Sequence, residues 1–390
     1  MKEGYRLLGD FIQPVDERNR DLKVDYLLGV SISKQFIPSI ANIVGTDLSS
    51  YKIVRTGQFA YGPVTSRNGE KISIALLQDK DCIISSSYTV FEVTDNERLD
   101  PEYLMLWFSR PEFDRYTRYM SHGSVREIFD WDELCKVELP VPSIEKQRGI
   151  VKAYNTITDR IELKRKINDN LVTSGIAAIS SVIGKAALIN ATEADLLMLN
   201  LSENYSVKTV SEYCSETKSG STPSRTVSDY WLNGTIPWVK SGEVHNNITL
   251  QTEERITQSG LEGSSAKLLP IDTVLMAMYG VTAGEVGYLG VPATTNQAIC
   301  GMVCHSRSEA AYLYFALIQS QSEISRLSNG GAQDNLSKNF IDGIKLIVPT
   351  SETLKEMRLP AFIDQMMLNT REIALLEDMQ ATLLAQLSSR

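Results

Sequence analysis

Cysteine, histidine and long apolar runs are all scarce in this chain. Five thiols in 390 residues (Cys82, Cys135, Cys214, Cys300 and Cys304), odd in number and thinly spread, do not make a disulfide framework, so a reducing cytoplasm is expected. No stretch approaches the roughly 20 apolar residues that cross a bilayer, and residues 1–11 hold no signal-peptide core. Positive charge is also short: 39 Lys and Arg stand against 48 Asp and Glu, a net charge of −9. That balance argues against coating nucleic acid by bulk charge, yet leaves room for a local basic face. With 43% hydrophobic and 22% charged residues the chain is folded rather than disordered, and its length suggests two or three domains.

The usual catalytic signatures are missing too. There is no Gly-x-Gly-x-x-Gly, no Gly-x-x-x-x-Gly-Lys-Ser/Thr, and no Asn/Asp-Pro-Pro-aromatic run to hold an amino group for methyl transfer. Glu162-Leu163-Lys164 has the Glu-x-Lys of many nucleases but falls on a predicted helix without a Pro-Asp partner, which reads as a solvated face. Cys300, Met302 and Cys304 alternate along a predicted strand, with His305 next. Structural zinc wants four ligands, and no second pair stands nearby, so these are expected to be buried strand thiols. His122, His245 and His305 have no Ser or Cys partner at motif spacing.

What is present is a repeat. Gly123-Ser124-Val125-Arg126 precedes the alternating run Val137-Glu138-Leu139-Pro140-Val141-Pro142-Ser143. At an offset of 207, Gly330-Gly331-Ala332-Gln333 precedes Ile344-Lys345-Leu346-Ile347-Val348-Pro349-Thr350. Both runs predict strands closed by proline. Upstream, Tyr103-Leu104 in a helix capped at Asp100-Pro101 matches Tyr312-Leu313 in a helix opening near Ser308-Glu309. Leu8-Gly9-Asp10-Phe11 likewise resembles Val210-Ser211-Glu212-Tyr213. Four matches in one order define a unit of about 200 residues, present twice.

Each unit ends in a long helical segment. Leu359, Phe362, Met366, Asn369, Ile373, Leu376, Gln380, Leu383 and Leu387 step by 3 and 4, an a/d seam over 29 residues. Ile150, Tyr154, Ile157, Ile161, Lys164, Asn168 and Leu171 step in the same way, and a shift of 212 superimposes the two seams. The simplest way to bury both is against each other, as an antiparallel coiled coil. The alternative is that each helix packs on its own globular half. Polar seam positions favour pairing, since a buried amide fixes register. Residues 180–204, small and then polar, read as the connection between the halves.

The polar loops carry the remaining signal. Lys218-Ser219-Gly220-Ser221-Thr222-Pro223-Ser224-Arg225 leads to Tyr230-Trp231 and then Ile236-Pro237-Trp238-Val239-Lys240-Ser241-Gly242. Ser264-Ser265-Ala266-Lys267-Leu268-Leu269-Pro270 and Thr294-Thr295-Asn296-Gln297-Ala298 follow. The first half has Phe36-Ile37-Pro38-Ser39, the run from Tyr51 to Tyr61, and Leu99-Asp100-Pro101-Glu102-Tyr103-Leu104. Turns packed over aromatics are one reading, and it suits Trp231 and Trp238. Hydroxyls, amides and cations beside glycines also suit phosphates and base edges. On that basis Lys34, Arg67, Arg126, Ser221, Thr222, Arg225, Lys240, Gln297, Gln333 and Lys338 are nominated as DNA contacts.

Taken together, these motifs resemble the specificity subunits of bacterial type I restriction-modification systems, over essentially the whole chain. The resemblance implies an α+β protein with a pseudo-twofold repeat: two tandem α/β target-recognition domains separated by two long helices that pair as an antiparallel coiled coil. The divisions would be 1–145 (first recognition domain), 146–190 (first spacer helix), 191–350 (linker and second recognition domain) and 351–390 (second spacer helix). It implies no catalytic centre and no cofactor bound directly. Double-stranded DNA, two modification (methyltransferase) subunits and two restriction subunits would be the partners. S-adenosylmethionine, ATP and Mg would act through those subunits. One departure stands out: Pro349-Thr350-Ser351-Glu352 lacks the Glu-x-Gln-x-x-Ile helix start that Glu145-Lys146-Gln147-Arg148-Gly149-Ile150 nearly supplies, so the second helix is expected to dock differently. Two other classes stay open: a divergent methyltransferase or nuclease, and a coiled-coil scaffold that never touches DNA.

Overall fold

A computed structural model describes residues 4–39, 45–66, 68–122, 127–183, 189, 192–198, 200–201, 203–328 and 336–387. The chain divides into two compact units, Met1–Ile161 with Leu376–Arg390, and Glu162–Leu375. Both divisions fall within long helices, so each unit holds part of both.

In the first unit a four-stranded antiparallel sheet runs β2 (Ile12–Val15), β9 (Thr89–Val93), β6 (Phe59–Tyr61), β7 (Ile74–Leu76). Three further pairs surround it: β1 (Tyr5–Leu7) with β10 (Glu138–Pro140), β3 (Leu28–Val30) with β4 (Phe36–Pro38), and β5 (Lys52–Val54) with β8 (Cys82–Ile84). Phe59 and Phe91, opposite each other in the sheet, stack at 4.9 Å, and Phe108 of α1 (Pro101–Phe108) stands edge-on to Phe59 at 5.8 Å. Such aromatic pairs add about 0.5–1.5 kcal/mol beyond area burial. Helix α1 starts where the sequence says: the Asp100 carboxylate accepts from the Tyr103 N–H, and Pro101 occupies the first turn. Helices α2 (Pro111–Met120) and α3 (Trp131–Cys135) complete the layer.

The second unit repeats the frame. Its five-stranded sheet runs β12 (Glu216–Ser219), β19 (Ile299–Val303), β16 (Val274–Ala277), β17 (Val286–Leu289), β14 (Asn247–Thr249). Beside it lie β15 (Glu254–Ile256), β13 (Ile236–Val239) and β18 (Thr294–Thr295), and β11 (Tyr205–Thr209) pairs with β20 (Lys345–Pro349). Helices α6 (Val210–Tyr213), α7 (Gln258–Glu262), α8 (Arg307–Gln319), α9 (Gln321–Ser328) and α10 (Lys338–Gly343) surround these sheets. Helix α8 opens at Arg307, one residue before the expected Ser308, because Ser306 and Glu309 form a reciprocal capping box. Within the expected linker lies α5 (Glu193–Met198), whose Leu196 is buried. The same tyrosine bond recurs in each unit: Tyr103 donates its hydroxyl to the Pro140 carbonyl at 3.1 Å, and Tyr312 to the Ile347 carbonyl at 2.5 Å.

Helix α4 spans Ile144–Ile183, starting two residues earlier than expected, and residues 184–188, toward its expected end at 190, lie outside the described residues. Its Gln147 is fully buried, accepting from the Asp100 N–H (2.8 Å) and donating to the carbonyls of Arg98 (3.0 Å) and Pro142 (2.8 Å). The second spacer is not one helix over 351–390 but two, α11 (Ser351–Met357) and α12 (Leu359–Gln386). Arg358 between them is left-handed, with φ 50°. Where Gln147 fastens the first helix by hydrogen bonds, the equivalent Leu359 is simply buried, so the expected difference in docking is a broken helix with an apolar anchor.

The two long helices pack together, antiparallel. In the first unit Gln380 donates to the Thr158 hydroxyl at 2.7 Å, while Ile150, Val151 and Tyr154 share a core with Leu384 and Leu387. In the second unit Lys164 reaches Glu372 (2.8 Å) and Asn168 meets Asn369 (2.8 Å). Among seam positions Ile157, Ile161, Leu359, Met366, Leu376 and Leu387 are buried, and Ile150, Tyr154, Leu171, Phe362, Ile373 and Leu383 half-buried. The alternative packing is present as well. Ile363 and Met367 of α12 and Ile179 and Ile183 of α4 bury a second face in the core of their own unit, and the Phe315 ring lies against Gly175, where a Cβ would overlap it. No helix among the described residues is long and apolar enough to cross a membrane.

Candidate nucleic-acid interface

At one end of the second unit the nominated loop residues converge. Strand β12 ends at Ser219, and Gly220 runs so close to Thr295 and Asn296 that a Cβ would overlap their carbonyls. That approach lets the Ser221 N–H donate to the Thr295 carbonyl at 2.9 Å. Thr222 then donates its hydroxyl to the Gln297 carboxamide at 2.6 Å. Gln297 is exposed, so Thr222 orients an amide that faces solvent.

Arg225 is held from two sides. Its guanidinium lies over the Trp231 ring, 3.6 Å from the centroid, and 5.0 Å from that of Trp238. The fork pairs with the Glu254 carboxylate through both terminal nitrogens. The Trp231 and Trp238 rings meet edge to face at 5.0 Å, and their indole N–H groups donate to the carbonyls of Ser224 (3.1 Å) and Ser221 (3.0 Å). The tryptophans therefore lie under the loop, as expected, and also form the platform that flattens Arg225. Lys240, at the end of β13, pairs with Glu253 and lies 3.5 Å from Glu254. The Arg225 guanidinium holds the Glu254 carboxyl below the usual carboxylate range, and the Glu253 contact raises the Lys240 ammonium. Ser221, Thr222, Arg225, Lys240 and Gln297 thus form one polar surface of fixed donors and acceptors, the arrangement that base-edge and phosphate contacts require.

The other nominated residues stand elsewhere. Lys338 donates to the Thr217 hydroxyl at 2.7 Å and pairs with Asp342 at 2.5 Å, an anchor between α10 and β12. Lys34 is interior: its ammonium lies 2.7 Å from both the Asp114 carboxylate and the Phe108 carbonyl, with its side chain only 9% exposed. Burial lowers its pKa against the pull of Asp114, so this cation fastens the loop after β3 to α2 and is not presented to a ligand. Arg67, Arg126 and Gln333 lie outside the described residues. Among the described residues no group of three or more His, Cys, Asp or Glu side chains converges as a metal site. Cys300 is fully buried in β19, and burial pushes its thiol up to about 12; Cys304 falls just beyond the strand.

Sequence reading missed the acidic partners Glu253 and Glu254, and it missed how closely the first unit mirrors this end of the second. The pair Phe59 opposite Phe91 has its counterpart in Val274 opposite Met302. The parallel bridge Leu27–Ile83 corresponds to Trp238–Thr294, and Val54 opposite Cys82 corresponds to the bridge Leu269–Ala293. The signal was legible in one place: Ser49-Ser50-Tyr51-Lys52-Ile53-Val54 aligns with Ser264-Ser265-Ala266-Lys267-Leu268-Leu269.

Comparison with known proteins follows the same division into two. The model of the type I restriction modification DNA specificity domain matches residues 39–172 and again 202–377. The specificity subunit of the type I restriction enzyme HindI of Haemophilus influenzae is 21% identical over 383 residues, covering 81% of this chain and 82% of that protein. The MjaIX specificity subunit of Methanocaldococcus jannaschii is 21% identical over 294 residues, covering 73% and 68%. The crystal structure of the type I restriction-modification S subunit from M. genitalium has the same fold, with a TM-score of 0.54 at 15% identity over 98% of this chain and 95% of that one. With both of its units matched, the chain belongs to the type I restriction-modification DNA specificity family.

Proposed function

We propose that the chain is the sequence-specific DNA-recognition subunit of a type I restriction-modification assembly and carries no catalytic centre of its own. Each unit reads one half of a bipartite, asymmetric target. The observation that carries this reading is the pairing of one repeated frame with unlike loops: Thr294-Thr295-Asn296-Gln297 in one unit stands where the other has Ile83-Ile84-Ser85-Ser86. A shared frame with different donors and acceptors suits two different half-sites.

The paired helices supply the spacing, and two modification and two restriction subunits supply the chemistry. S-adenosylmethionine, ATP and Mg act in those subunits. The test is exchange of residues 1–145 for those of a related chain, followed by methylation mapping of the host genome. One half of the target should change and the other persist. A change in both halves together would overturn the assignment of one half-site per unit.

A further inference from the structure

In the first unit, β2 is the counterpart of β12, since each is the edge strand paired antiparallel with a five-residue strand, β9 or β19. The loop leaving β12 carries Thr222 and Arg225. The loop leaving β2, residues 16–25, holds none of the residues nominated from the sequence, yet it too is held by its own hydrogen bonds. Asn19 is buried and closes the loop with its carboxamide, donating to the Val24 carbonyl (2.8 Å) and accepting from the Val24 N–H (3.2 Å). Its own N–H donates to the Tyr51 carbonyl at 3.0 Å. Inner cations lock the base: Arg18 donates to the Ser50 carbonyl (2.8 Å), and Arg55 pairs with Glu17 and with Asp81 (2.6 Å).

The tip is different. Leu22 is left-handed, with φ 54°, and 58% exposed. A leucine in that conformation costs roughly 1–2 kcal/mol and gains no burial here, which points away from a purely structural role. Arg20 and Lys23 flank it. Among the described residues the Arg20 guanidinium has no ion-pair partner, and Lys23, with its side chain 81% exposed, has only the surface pair with Asp21 at 2.6 Å. Surface pairs of this type contribute little and exchange readily. An open cavity of about 420 Å³ beside the loop is lined by Arg18, Arg20, Lys23 and Arg55 together with the carboxylates Glu17 and Asp21, four cations against two anions.

We propose that Arg20 and Lys23 bind backbone phosphates of the half-site read by the first unit, with Leu22 between them facing the groove. The proposal rests on the DNA-recognition reading above. The locked base sets the loop's direction, and the two exposed cations, Arg20 without an ion pair among the described residues and Lys23 with only its surface pair to Asp21, supply contacts whose partners are interchangeable, the pattern expected of phosphate clamps rather than base readers. An exposed leucine tip suits apolar contact with a thymine methyl or a base step.

The test measures binding of the full chain, assembled with its modification subunits, to duplex carrying its mapped target across a salt series. Arg20→Ala with Lys23→Ala should weaken binding and flatten the plot of log affinity against log salt by about two units, at ~0.9 per phosphate. The methylated sequence should stay the same. Both side chains are exposed, so the denaturation midpoint serves as the folding control. A wild-type slope in a folded double variant overturns the proposal while leaving DNA recognition intact. Absence of salt-dependent target binding in the wild-type assembly would instead defeat the recognition reading itself.

Discussion

Asn369 donates its carboxamide N–H to the Asn168 side-chain oxygen at 2.8 Å, joining the two long helices within the second unit through a polar contact on an apolar seam. Lys164 adds a bond to the Asn369 oxygen at 3.1 Å and an ion pair with Glu372 at 2.8 Å. This cluster specifies register, because sliding either helix by a heptad would face these groups with hydrocarbon. Asn369→Leu should cost about 1–3 kcal/mol by orphaning Asn168, and the double change Asn168→Leu with Asn369→Leu should recover most of that loss. Denaturant midpoints of the two variants check it. Equal losses in single and double variants would show that the pair does not act as a unit.

Lys34 separates a structural cation from a DNA contact. Its partner Asp114 also accepts from the Ile72 N–H at 3.2 Å, so removing the ammonium leaves a carboxylate buried with less compensation. Lys34→Ala should destabilise the first unit by about 3–5 kcal/mol. The folded fraction should keep the wild-type salt slope for DNA binding. A flattened slope would mean that Lys34 meets phosphate after all.

The Arg225–Glu254 pair carries a pH dependence of definite sign. The Glu254 carboxyl is held below its ordinary value of 4.5, chiefly by the Arg225 hydrogen bond. A carboxyl with a depressed folded-state pKa contributes its stability fully above the ordinary value and loses it as pH falls through the lowered one. With Arg225 half exposed, the contribution is up to about 1 kcal/mol. The midpoint difference between wild type and Glu254→Gln should hold near neutral pH and shrink below pH 4.5. A difference that grew with acidity would contradict the assignment.

The spacing proposal can be tested by length. One heptad inserted after Ile161 and another after Ile373 keeps the a/d pattern and adds about 10 Å, roughly three base pairs of duplex. Methylation mapping should then show the same half-sites with a longer gap. An unchanged gap would assign the spacing to the partner subunits.

Periodicity and repetition made the architecture legible. The seam from Leu359 to Leu387 and the strand runs at Val137 and Ile344 are local patterns, because helix and strand periods impose the same spacing wherever a face is buried. The Asp100 cap and the missing Glu-x-Gln before the second helix were readable for the same reason. Arg358 was not: its left-handed break depends on where Leu359 can be buried, a property of the packed unit. Residue type alone ranked Lys34 beside Arg225, yet one is buried on Asp114 and the other lies over Trp231 at a surface. It passed over Arg20 and Lys23 because their meaning comes from Asn19 closing the loop and from the strand beside which that loop begins. Which polar groups are free to meet a partner depends on distant residues brought together in space, so only the tertiary structure could decide it.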